Sequence, residues 1–580
     1  MVQIAPPPRH HNRDAFRQNY SWLQRLKANA YDVETTVAFI MLFIVLAINV
    51  VYLLQSQHGS IDLPALGTGL VQQLSLQGLT NAADTTGRVV TIINALFYIL
   101  FAQTVLQNIQ VFADRKPATR QLGLASTMRD HVVVCGLGRV GYRIVSRLAA
   151  SGYRVVVIEQ NFSGAFVNRT IEHGIPVIEG DAREESTLNK ALITRARAVI
   201  ACIDGDLTNL EIVLAAKRLN PAVQVILRAF NEDFDSGFER SFGAHTAFSA
   251  SKLAAPTFAG AALVRNIEHV VTLGDELLGV AQVKLTSEMN AQTMEQSNGV
   301  RILPGAHGDT LAVIAPLATL ADLNVRAGGE AVTGDGSIIV CGLGKVGYRV
   351  VQLLREIYPD RPIVVIHLPE GNPAEPDDAP HSHGEVDEQV GRSFIKMIAG
   401  LRNVRLIPGD ARDRDLLLRA GVERASALLA LTSNDQINVQ VGLEARNIRT
   451  DIHVVLRVFS GDLAEKLGEL FKIRTVFSTS DLASPTMAAA AILGGIDGAF
   501  AVGDDLYAIN NVTITAQSPL INATVEALRR RDLLVVRVGR GNQVHLLPAL
   551  TMGLVPGDVV TVIAPLRALD RLRAEGGRAA

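Results

Sequence analysis

Three glycines with the spacing G-x-G-x-x-G follow an apolar, β-branched run: Gly136, Gly138 and Gly141. In nucleotide-binding turns the first glycine permits the tight turn, the second lets the backbone approach a phosphate, and the third lets the helix pack against the sheet. The helix that starts there would offer N–H groups to an anion. Glu159 ends the next predicted strand, where a carboxylate can accept hydrogen bonds from both ribose hydroxyls. This order of features predicts a nucleotide site, and the alternative is a structural glycine turn without a ligand.

A second copy of the pattern occurs later in the chain. It keeps Gly342, Gly344 and Gly347 but has His367 at the position of Glu159. Because histidine cannot serve a ribose diol as an acceptor pair, this copy is predicted to be empty or to select a different ligand. The expected cofactor is an adenine nucleotide, NAD(H) or ADP/ATP, bound at the first copy in preference to the second.

Carboxylates follow further strands in each copy. Asp181 and Asp410 come after the third predicted strand, next to the carboxyl edge of the sheet, where ligands bind. Asp204 follows the fourth strand of the first copy. The predicted nucleotide contacts are the residues of the glycine turns and of these strand ends: Gly136, Gly138, Arg139, Val140, Gly141, Glu159, Asp181, Ala182, Asp204, Gly342, Gly344, Gly347 and Asp410.

Neither copy carries the residues that redox catalysis would need. Hydride transfer requires a proton donor beside the nicotinamide, and no histidine or lysine of either copy suits that place. We therefore predict that the chain is not an enzyme and has no catalytic residues. His381 and His383 lie in an acidic, proline-rich insertion, and two exposed loop histidines do not predict a metal site.

The elements that must position these residues repeat along the chain. HVVVCGLGRVGYRIV at His131 matches SIIVCGLGKVGYRVV at Ser337, and SKLAAPTFAGAAL at Ser251 matches SDLASPTMAAAAIL at Ser480. Short β-branched runs alternate with helical stretches in both copies, which predicts two parallel sheets with right-handed crossovers. Each copy ends in a smaller α+β segment, and this segment is shorter in the first copy.

Two apolar segments near the start are predicted to cross a membrane. Residues 35–54 and 89–112 contain no charged residue, and each is long enough for a bilayer, which needs ~20 residues. Lysines and arginines occur on the outer sides of this pair, and none occurs over residues 56–86 between the spans. The positive-inside rule therefore places both termini in the cytoplasm.

The segments beside the first span carry two further predictions. The long connection between the spans is apolar over residues 63–76, which indicates a re-entrant segment, the alternative being an ordinary external loop. Ahead of the first span, residues 14–30 are predicted to form an amphipathic helix, either on the inner membrane surface or in solvent.

Composition adds two limits. The formal net charge of −2 gives no support for a nucleic-acid partner held by bulk electrostatics. Cys135, Cys202 and Cys341 each lie inside an apolar strand-like run. Buried, reduced thiols are therefore expected, without disulfides.

These features together resemble the RCK (regulator of potassium conductance) family, also called TrkA-type domains. The resemblance covers about residues 130–570 and is carried by VVVCGLGRVG, by VVVIE, by GDA at Gly180, by the helix with Asn209 and by ILR ending at Arg228. A two-span hairpin ahead of tandem RCK domains is similar to the prokaryotic two-transmembrane, ligand-gated potassium channels. The resemblance implies a homotetramer in the prokaryotic inner membrane, with a cytoplasmic ring of RCK domains that pulls on the inner helices.

The pore segment departs from that family. Members carry a TVGYG-like filter, whose backbone carbonyls replace the hydration shell of the ion. The matching positions here are Leu74, Ser75, Leu76, Gln77 and Gly78, and only the glycine agrees. The predicted inner helix, residues 89–112, also lacks a glycine hinge. The monovalent ion that such a pore would select is therefore left open.

The predicted architecture is a membrane α-helical hairpin of pore type followed by two tandem α/β Rossmann-like RCK domains, each with a small α+β C-terminal subdomain. The predicted divisions are a cytoplasmic segment (1–34), the membrane region (35–112), a linker (113–130), the first Rossmann and C-terminal subdomains (131–265 and 266–330), and the second pair (331–498, with an insertion at about 369–391, and 499–580). The predicted function is a nucleotide-gated ion channel with the bilayer, an ion, a nucleotide and its own copies as partners. The alternative is a non-conducting, membrane-anchored nucleotide sensor that regulates a separate cation transporter.

Overall fold

A computed structural model describes residues 117–576, apart from the gaps 230–245, 275, 285–294, 296–298, 305–309, 327–331, 333–335, 369–392, 460, 472, 474 and 519. Of the first 116 residues it describes 3–5, 18, 20, 21, 24, 43, 44, 47, 50, 51, 89 and 92. Most of the two predicted spans, the whole predicted filter (Leu74, Ser75, Leu76, Gln77 and Gly78) and the pair His381 and His383 lie outside the described residues. Within the described part, no helix is both long and apolar enough to cross a membrane.

Two short elements precede the first sheet. They are the strand Gln3–Ala5 (β1) and the helix Pro117–Ser126 (α1).

The first sheet has six parallel strands with helices on both faces. The strands are His131–Cys135 (β2), Val155–Glu159 (β3), Val177–Glu179 (β4), Ala196–Ala201 (β5), Gln224–Arg228 (β6) and Ala247–Phe248 (β7). The helices between them are Arg139–Ala150 (α2), Val167–Glu172 (α3), Glu185–Lys190 (α4) and Asp206–Leu219 (α5). The spatial order β4-β3-β2-β5-β6-β7 is that of a doubly wound nucleotide-binding sheet. Because helices cover both faces, the central strands read as continuous apolar runs.

The first C-terminal subdomain is a helix followed by an antiparallel sheet. Its elements are Ala250–Ala261 (α6), His269–Leu273 (β8), Glu276–Lys284 (β9), Arg301–Ile302 (β10), Thr310–Pro316 (β11) and Leu317–Arg326 (α7). Strand β9 pairs with β11 on one side, and on the other side it pairs with β8 and then with β1 from the start of the chain.

The second parallel sheet repeats the first. Its strands are Ile338–Cys341 (β12), Ile363–His367 (β13), Val404–Pro408 (β14), Ala427–Ala430 (β15), His453–Arg457 (β16) and Val476–Phe477 (β17). The helices are Lys345–Ile357 (α8), Arg414–Ala420 (α9), Asp435–Ile448 (α10) and Gly461–Leu470 (α11). The order β14-β13-β12-β15-β16-β17 matches that of the first sheet position by position.

The second C-terminal subdomain is again antiparallel. It contains Thr479–Leu493 (α12), Gly498–Val502 (β18), Asp505–Thr513 (β19), Val525–Arg529 (α13), Leu534–Arg540 (β20), Gln543–Leu546 (β21), Val559–Pro565 (β22) and Leu566–Gly576 (α14). The predicted pair of Rossmann-like units, each followed by a small α+β unit, is confirmed.

The two copies exchange helices. Helix α6 of the first copy packs on α8 of the second, and α12 of the second copy packs on α2 of the first. Apolar side chains of α12, such as Met487 and Ile492, join one buried cluster with Val132 and Ile144 of the first sheet layer. Each Rossmann unit therefore buries part of its core against a helix of the other copy. The small alanine side chains of these helices allow close packing.

The amphipathic helix predicted over residues 14–30 is contradicted at three of the four described residues of that segment. Gln18, Tyr20 and Ser21 are not helical, although Gln24 is. Tyr20 packs against the core of the first sheet, and Gln18 bonds to the first residue of β3. Burial of the ring and pairing of backbone groups stabilise this arrangement, which a sequence periodicity cannot reveal.

Candidate functional site

The first glycine turn depends on close backbone contacts. Gly136 has φ +98°, a conformation that side chains other than glycine rarely adopt. A Cβ at Gly141 would lie 1.9 Å from the carbonyl oxygen of Gly136. Only glycine at position 141 therefore lets the first turn of α2 pass directly over the bend after β2.

The middle glycine faces open space. Among the described residues, no atom lies within 4 Å of the position that a Cβ of Gly138 would take. Gly138 is the N-cap of α2 and provides no side-chain cap. The first N–H groups of a helix, here those of Arg139, Val140 and Gly141, have no partner within the helix. An anion placed over Gly138 would therefore meet oriented N–H groups without a steric obstacle.

Glu159 is held against this turn. Its carboxylate accepts hydrogen bonds from the backbone N–H of Leu137, at 2.5 Å, and from that of Asn161, at 2.8 Å. Leu137 lies between the first two glycines, so the acid at the end of β3 reaches the glycine turn itself. A carboxylate with two oxygens beside the start of a helix suits a ribose whose phosphates lie on the helix.

The other predicted acids of the first copy already have basic partners. Asp181 accepts hydrogen bonds from the backbone N–H and the guanidinium of Arg183, and these bonds lower the pKa of Asp181. Asp204 pairs with Arg228 at 2.7 Å. Ala182, next to Asp181 in the chain, is buried. The structure thus places all three at the carboxyl edge of the sheet, but the two acids form ion pairs there.

The second glycine turn has the same backbone and a different strand end. Gly342 has φ +102°, a Cβ at Gly347 would lie 2.1 Å from the Gly342 oxygen, and that of Gly344 would meet no described atom within 4 Å. His367, however, has its Nδ1 2.9 Å from the carbonyl oxygen of Leu368. Asp410 pairs with Arg412 as Asp181 pairs with Arg183.

Both turns leave open space at their middle glycine, and only the first has a carboxylate at the end of the following strand. At the first turn the open cradle over Gly138 and the carboxylate of Glu159 would hold a phosphate and a ribose. At the second, the cradle over Gly344 is retained, but His367 offers no pair of acceptors. The preference of a nucleotide for the first copy stays a prediction.

The buried cysteines add no chemistry at either turn. Cys135, Cys202 and Cys341 are all buried, as predicted, and none of them forms a disulfide in this structure. Burial raises the pKa of Cys202 to about 12. In the described part of the chain no group of His, Cys, Asp or Glu side chains could hold a metal ion.

Comparison with protein families matches parts of the two copies. The TrkA-N domain matches residues 132–250 and 393–479, and the TrkA-C domain matches residues 511–575. The chain contains TrkA-N and TrkA-C domains. The first TrkA-N match covers the glycine turn with Glu159, and the second begins after the turn at Gly342.

Individual relatives match shorter stretches of the chain. A Trk system potassium uptake protein TrkA homolog of Pyrococcus horikoshii is 36% identical over 98 residues, which is 17% of this chain and 42% of that protein. Potassium channel protein 1 of Methanocaldococcus jannaschii is 28% identical over 102 residues, 18% of this chain and 31% of that protein. The chain thus spans less than half the length of these two relatives.

A solved structure has a similar fold. The structure described as "GsuK Channel" gives a TM-score of 0.51 with 17% identity, over 95% of this chain and all of that one. At this identity the likeness is one of fold.

Sequence reasoning missed a contact between the two TrkA-N domains at the first turn. The Arg139 guanidinium lies 4.4 Å from the ring centroid of Phe459, and Arg457 lies 4.8 Å from the same ring. Burial lowers the pKa of Arg457 to about 10. Phe459 lies two residues after Arg457, as Phe230 lies two residues after Arg228 in the first copy, but the repeat alone does not indicate the contact with Arg139.

A buried asparagine shapes the sheet edge in both TrkA-N domains. Asn209 accepts from the N–H of Ile203 and donates to the carbonyl oxygens of Ile203 and Arg228. Asn438 makes the matching bonds in the second domain. This explains why the asparagine recurs in the repeat: it satisfies buried backbone groups where β5 and β6 end.

Proposed function

We propose that this chain takes part in ion transport of the kind performed by potassium channels and is controlled by a nucleotide. In this proposal the first TrkA-N domain is the nucleotide sensor. The observation that carries the proposal is the carboxylate of Glu159, bonded to the glycine turn beside the open cradle at Gly138. NAD(H) or ADP/ATP would place phosphate on the start of α2 and ribose on Glu159.

The packing of α2 suggests how such binding would be transmitted. This helix starts at the nucleotide turn and lies along α12, which leads directly into the second C-terminal sheet. Arg139, at the start of α2, also contacts Phe459 of the second TrkA-N domain. A ligand that draws the start of α2 toward its phosphate would therefore move the second copy relative to the first.

We further propose that the chain carries its own pore. The support is the pair of predicted spans, residues 35–54 and 89–112, ahead of the TrkA-N domains. In this proposal a homotetramer in the prokaryotic inner membrane conducts a monovalent ion, its termini are cytoplasmic, and it performs no catalysis. The name potassium channel protein 1, carried by one relative, agrees with this class of protein.

A regulator of a separate transporter is the second candidate. The specific observation in its favour is the segment Leu74–Gly78, which keeps only the glycine of a potassium filter. The name Trk system potassium uptake protein TrkA homolog, carried by another relative, describes a part of a potassium uptake system and agrees with this candidate.

The test is ion flux from proteoliposomes that contain the purified chain, in potassium, sodium and chloride gradients, with and without NAD(H), ADP and ATP. Nucleotide-dependent flux is expected, and its ion preference reports what the segment around Gly78 selects. Protein that binds nucleotide but conducts nothing in any gradient would overturn the channel proposal and support the regulator.

A further inference from the structure

The start of the chain docks on the first TrkA-N domain through Gln18 and Tyr20, here called the docking segment. The backbone N–H of Gln18 donates to the carbonyl oxygen of His173 at 2.9 Å, and its side-chain oxygen accepts from the N–H of Val155 at 2.9 Å. The hydroxyl of Tyr20 donates to the carbonyl oxygen of Gly174 at 2.7 Å. The Gln18 amide also donates to the Tyr20 hydroxyl at 2.7 Å, so the two side chains act together.

The second TrkA-N domain shows what these side chains replace. There the N–H of Ile363 donates directly to the carbonyl oxygen of Asn403 at 2.9 Å. Ile363 corresponds to Val155 and Asn403 to Gly174 in the repeat. In the first domain, therefore, the docking segment inserts between two backbone groups that bond to each other in the second.

One residue accounts for the difference between the copies. A Cβ at Gly174 would lie 2.8 Å from the carbonyl oxygen of Gln18. Asn403, at the matching position, has a similar backbone, with φ +61° against +76° for Gly174, and its side chain donates to the carbonyl oxygen of Pro359. The matching face of the second domain is a groove of about 450 Å³, whose lining includes Asn403 and Ile363. Glycine at position 174 thus makes room for the docking segment.

A second attachment lies closer to the start of the chain. Strand β1 pairs antiparallel with the end of β9, where Gln3 lies opposite Lys284 and Ala5 opposite Gln282. The segment ahead of the first predicted span therefore contacts both the Rossmann unit and the C-terminal sheet of the first copy.

We propose that the docking segment is a second mechanical link between the membrane region and the first TrkA-N domain, in addition to the connection through residues 113–130. The inference rests on the proposed function, since it concerns how nucleotide binding reaches the spans. Val155 and Glu159 are the first and last residues of β3, so the docked segment and the nucleotide acid lie at opposite ends of one strand, about 13 Å apart along it. A movement of β3 on nucleotide binding would act directly on the chain that enters the first span.

The first experiment tests the docking itself, by hydrogen exchange on the full-length protein. The variant is Gly174→Asn, which installs the residue of the second domain, and the matched control is Asn403→Gly. Because asparagine already occupies this backbone at 403, the variant is expected to fold. In the wild type and in the control, the amides of Gln18 and Val155 should exchange about tenfold or more slowly than in Gly174→Asn. Equal exchange in all three proteins would overturn the docking.

The second experiment tests transmission. Gly174→Asn, and independently the pair Gln18→Ala with Tyr20→Phe, should keep nucleotide affinity within about twofold, because neither change touches the glycine turn. Both should lose most of the nucleotide-dependent part of ion flux. A full flux response in a protein whose docking is lost would overturn the link. If the wild type shows no ion flux, both the channel function and the proposed mechanical link are wrong. The hydrogen-exchange experiment would still decide whether the docking segment is bound to the first TrkA-N domain.

Discussion

The Nε of Arg143 lies 3.1 Å from a carboxylate oxygen of Asp481, which joins helix α2 of the first TrkA-N domain to helix α12 of the second copy. The reciprocal contact, between α8 and α6, has Arg349 and Lys252 at the matching positions. Arg349 instead approaches the hydroxyl of Ser249 at 3.4 Å. The α2–α12 and α8–α6 contacts therefore have the same helix packing, but the residue matched to the arginine's partner is an acid in the first and a lysine in the second.

This difference in charge can be tested by exchanging the acidic and basic residues at positions 481 and 252. We expect Asp481→Lys to destabilise the chain and Lys252→Asp to stabilise it, each by about 0.3–1 kcal/mol, because both pairs are partly exposed. Thermal unfolding at low and high ionic strength is the measurement, and added salt should shrink both effects. Shifts of the same sign for both variants, or shifts that salt leaves unchanged, would contradict the ionic origin.

The two strand-end residues should differ in their effect on nucleotide binding. Glu159→Ala removes the acceptor of the ribose hydroxyls and should weaken binding of ADP or NAD about tenfold or more. His367→Ala should change the affinity little, because an imidazole offers no pair of acceptors to the ribose hydroxyls and its Nδ1 lies 2.9 Å from the carbonyl oxygen of Leu368. Isothermal titration calorimetry on the purified protein is the measurement. Equal losses from both changes would show that the copies bind alike.

The glycine turn allows binding and folding to be separated. Gly138→Ala places a methyl group in the open cradle and should weaken nucleotide binding about tenfold while stability stays within roughly 0.5 kcal/mol. Gly141→Ala drives a methyl group against the Gly136 carbonyl and should cost roughly 1–3 kcal/mol or more of stability. Calorimetric titration and thermal unfolding of both variants are the measurements. A Gly138→Ala protein that binds normally would exclude this cradle as the phosphate site.

Gly344→Ala is the matched variant of the second domain. Its methyl group would also meet open space, so it should not disturb the fold. Any change in the number of nucleotides bound per chain would then report occupation of the second turn, which the sequence left undecided.

The sequence predicted the parts of the fold that are local or repeated. Alternating β-branched runs and helical stretches indicated two parallel sheets, and the spacing from Gly136 to Glu159 located the turn and the acid correctly, because each feature depends on one strand and its neighbour. The divisions between subdomains and the role of each predicted contact remain predictions.

The exchanged helices and the docking segment could not be predicted in the same way. The alanine-rich run from Ser251 and its match from Ser480 indicate burial, but composition does not say which copy provides the partner surface. Gln18 and Tyr20 bond to groups more than a hundred residues away, and their surroundings favoured a helix instead. Such long-range contacts leave no periodicity in the local sequence.

The last prediction concerns pH and the start of β8. The Glu268 side chain is largely buried, one of its oxygens has no hydrogen-bond partner among the described residues, and burial raises its pKa to about 7. Since the unfolded chain releases this proton near the ordinary value of 4.5, the folded state binds more protons between about pH 4.5 and 7, so stability should fall as pH rises through that window.

Glu268→Gln should remove this dependence. The variant should match the wild type near pH 4.5 and exceed its stability at pH 8 by roughly 1–3 kcal/mol, measured by thermal unfolding across the window. Glu276→Gln, on the exposed side of the next strand, is the matched control and should show no such trend. A constant difference between Glu268→Gln and the wild type at every pH would mean that the carboxyl of Glu268 has its ordinary pKa in the folded state, and that its burial does not raise that pKa.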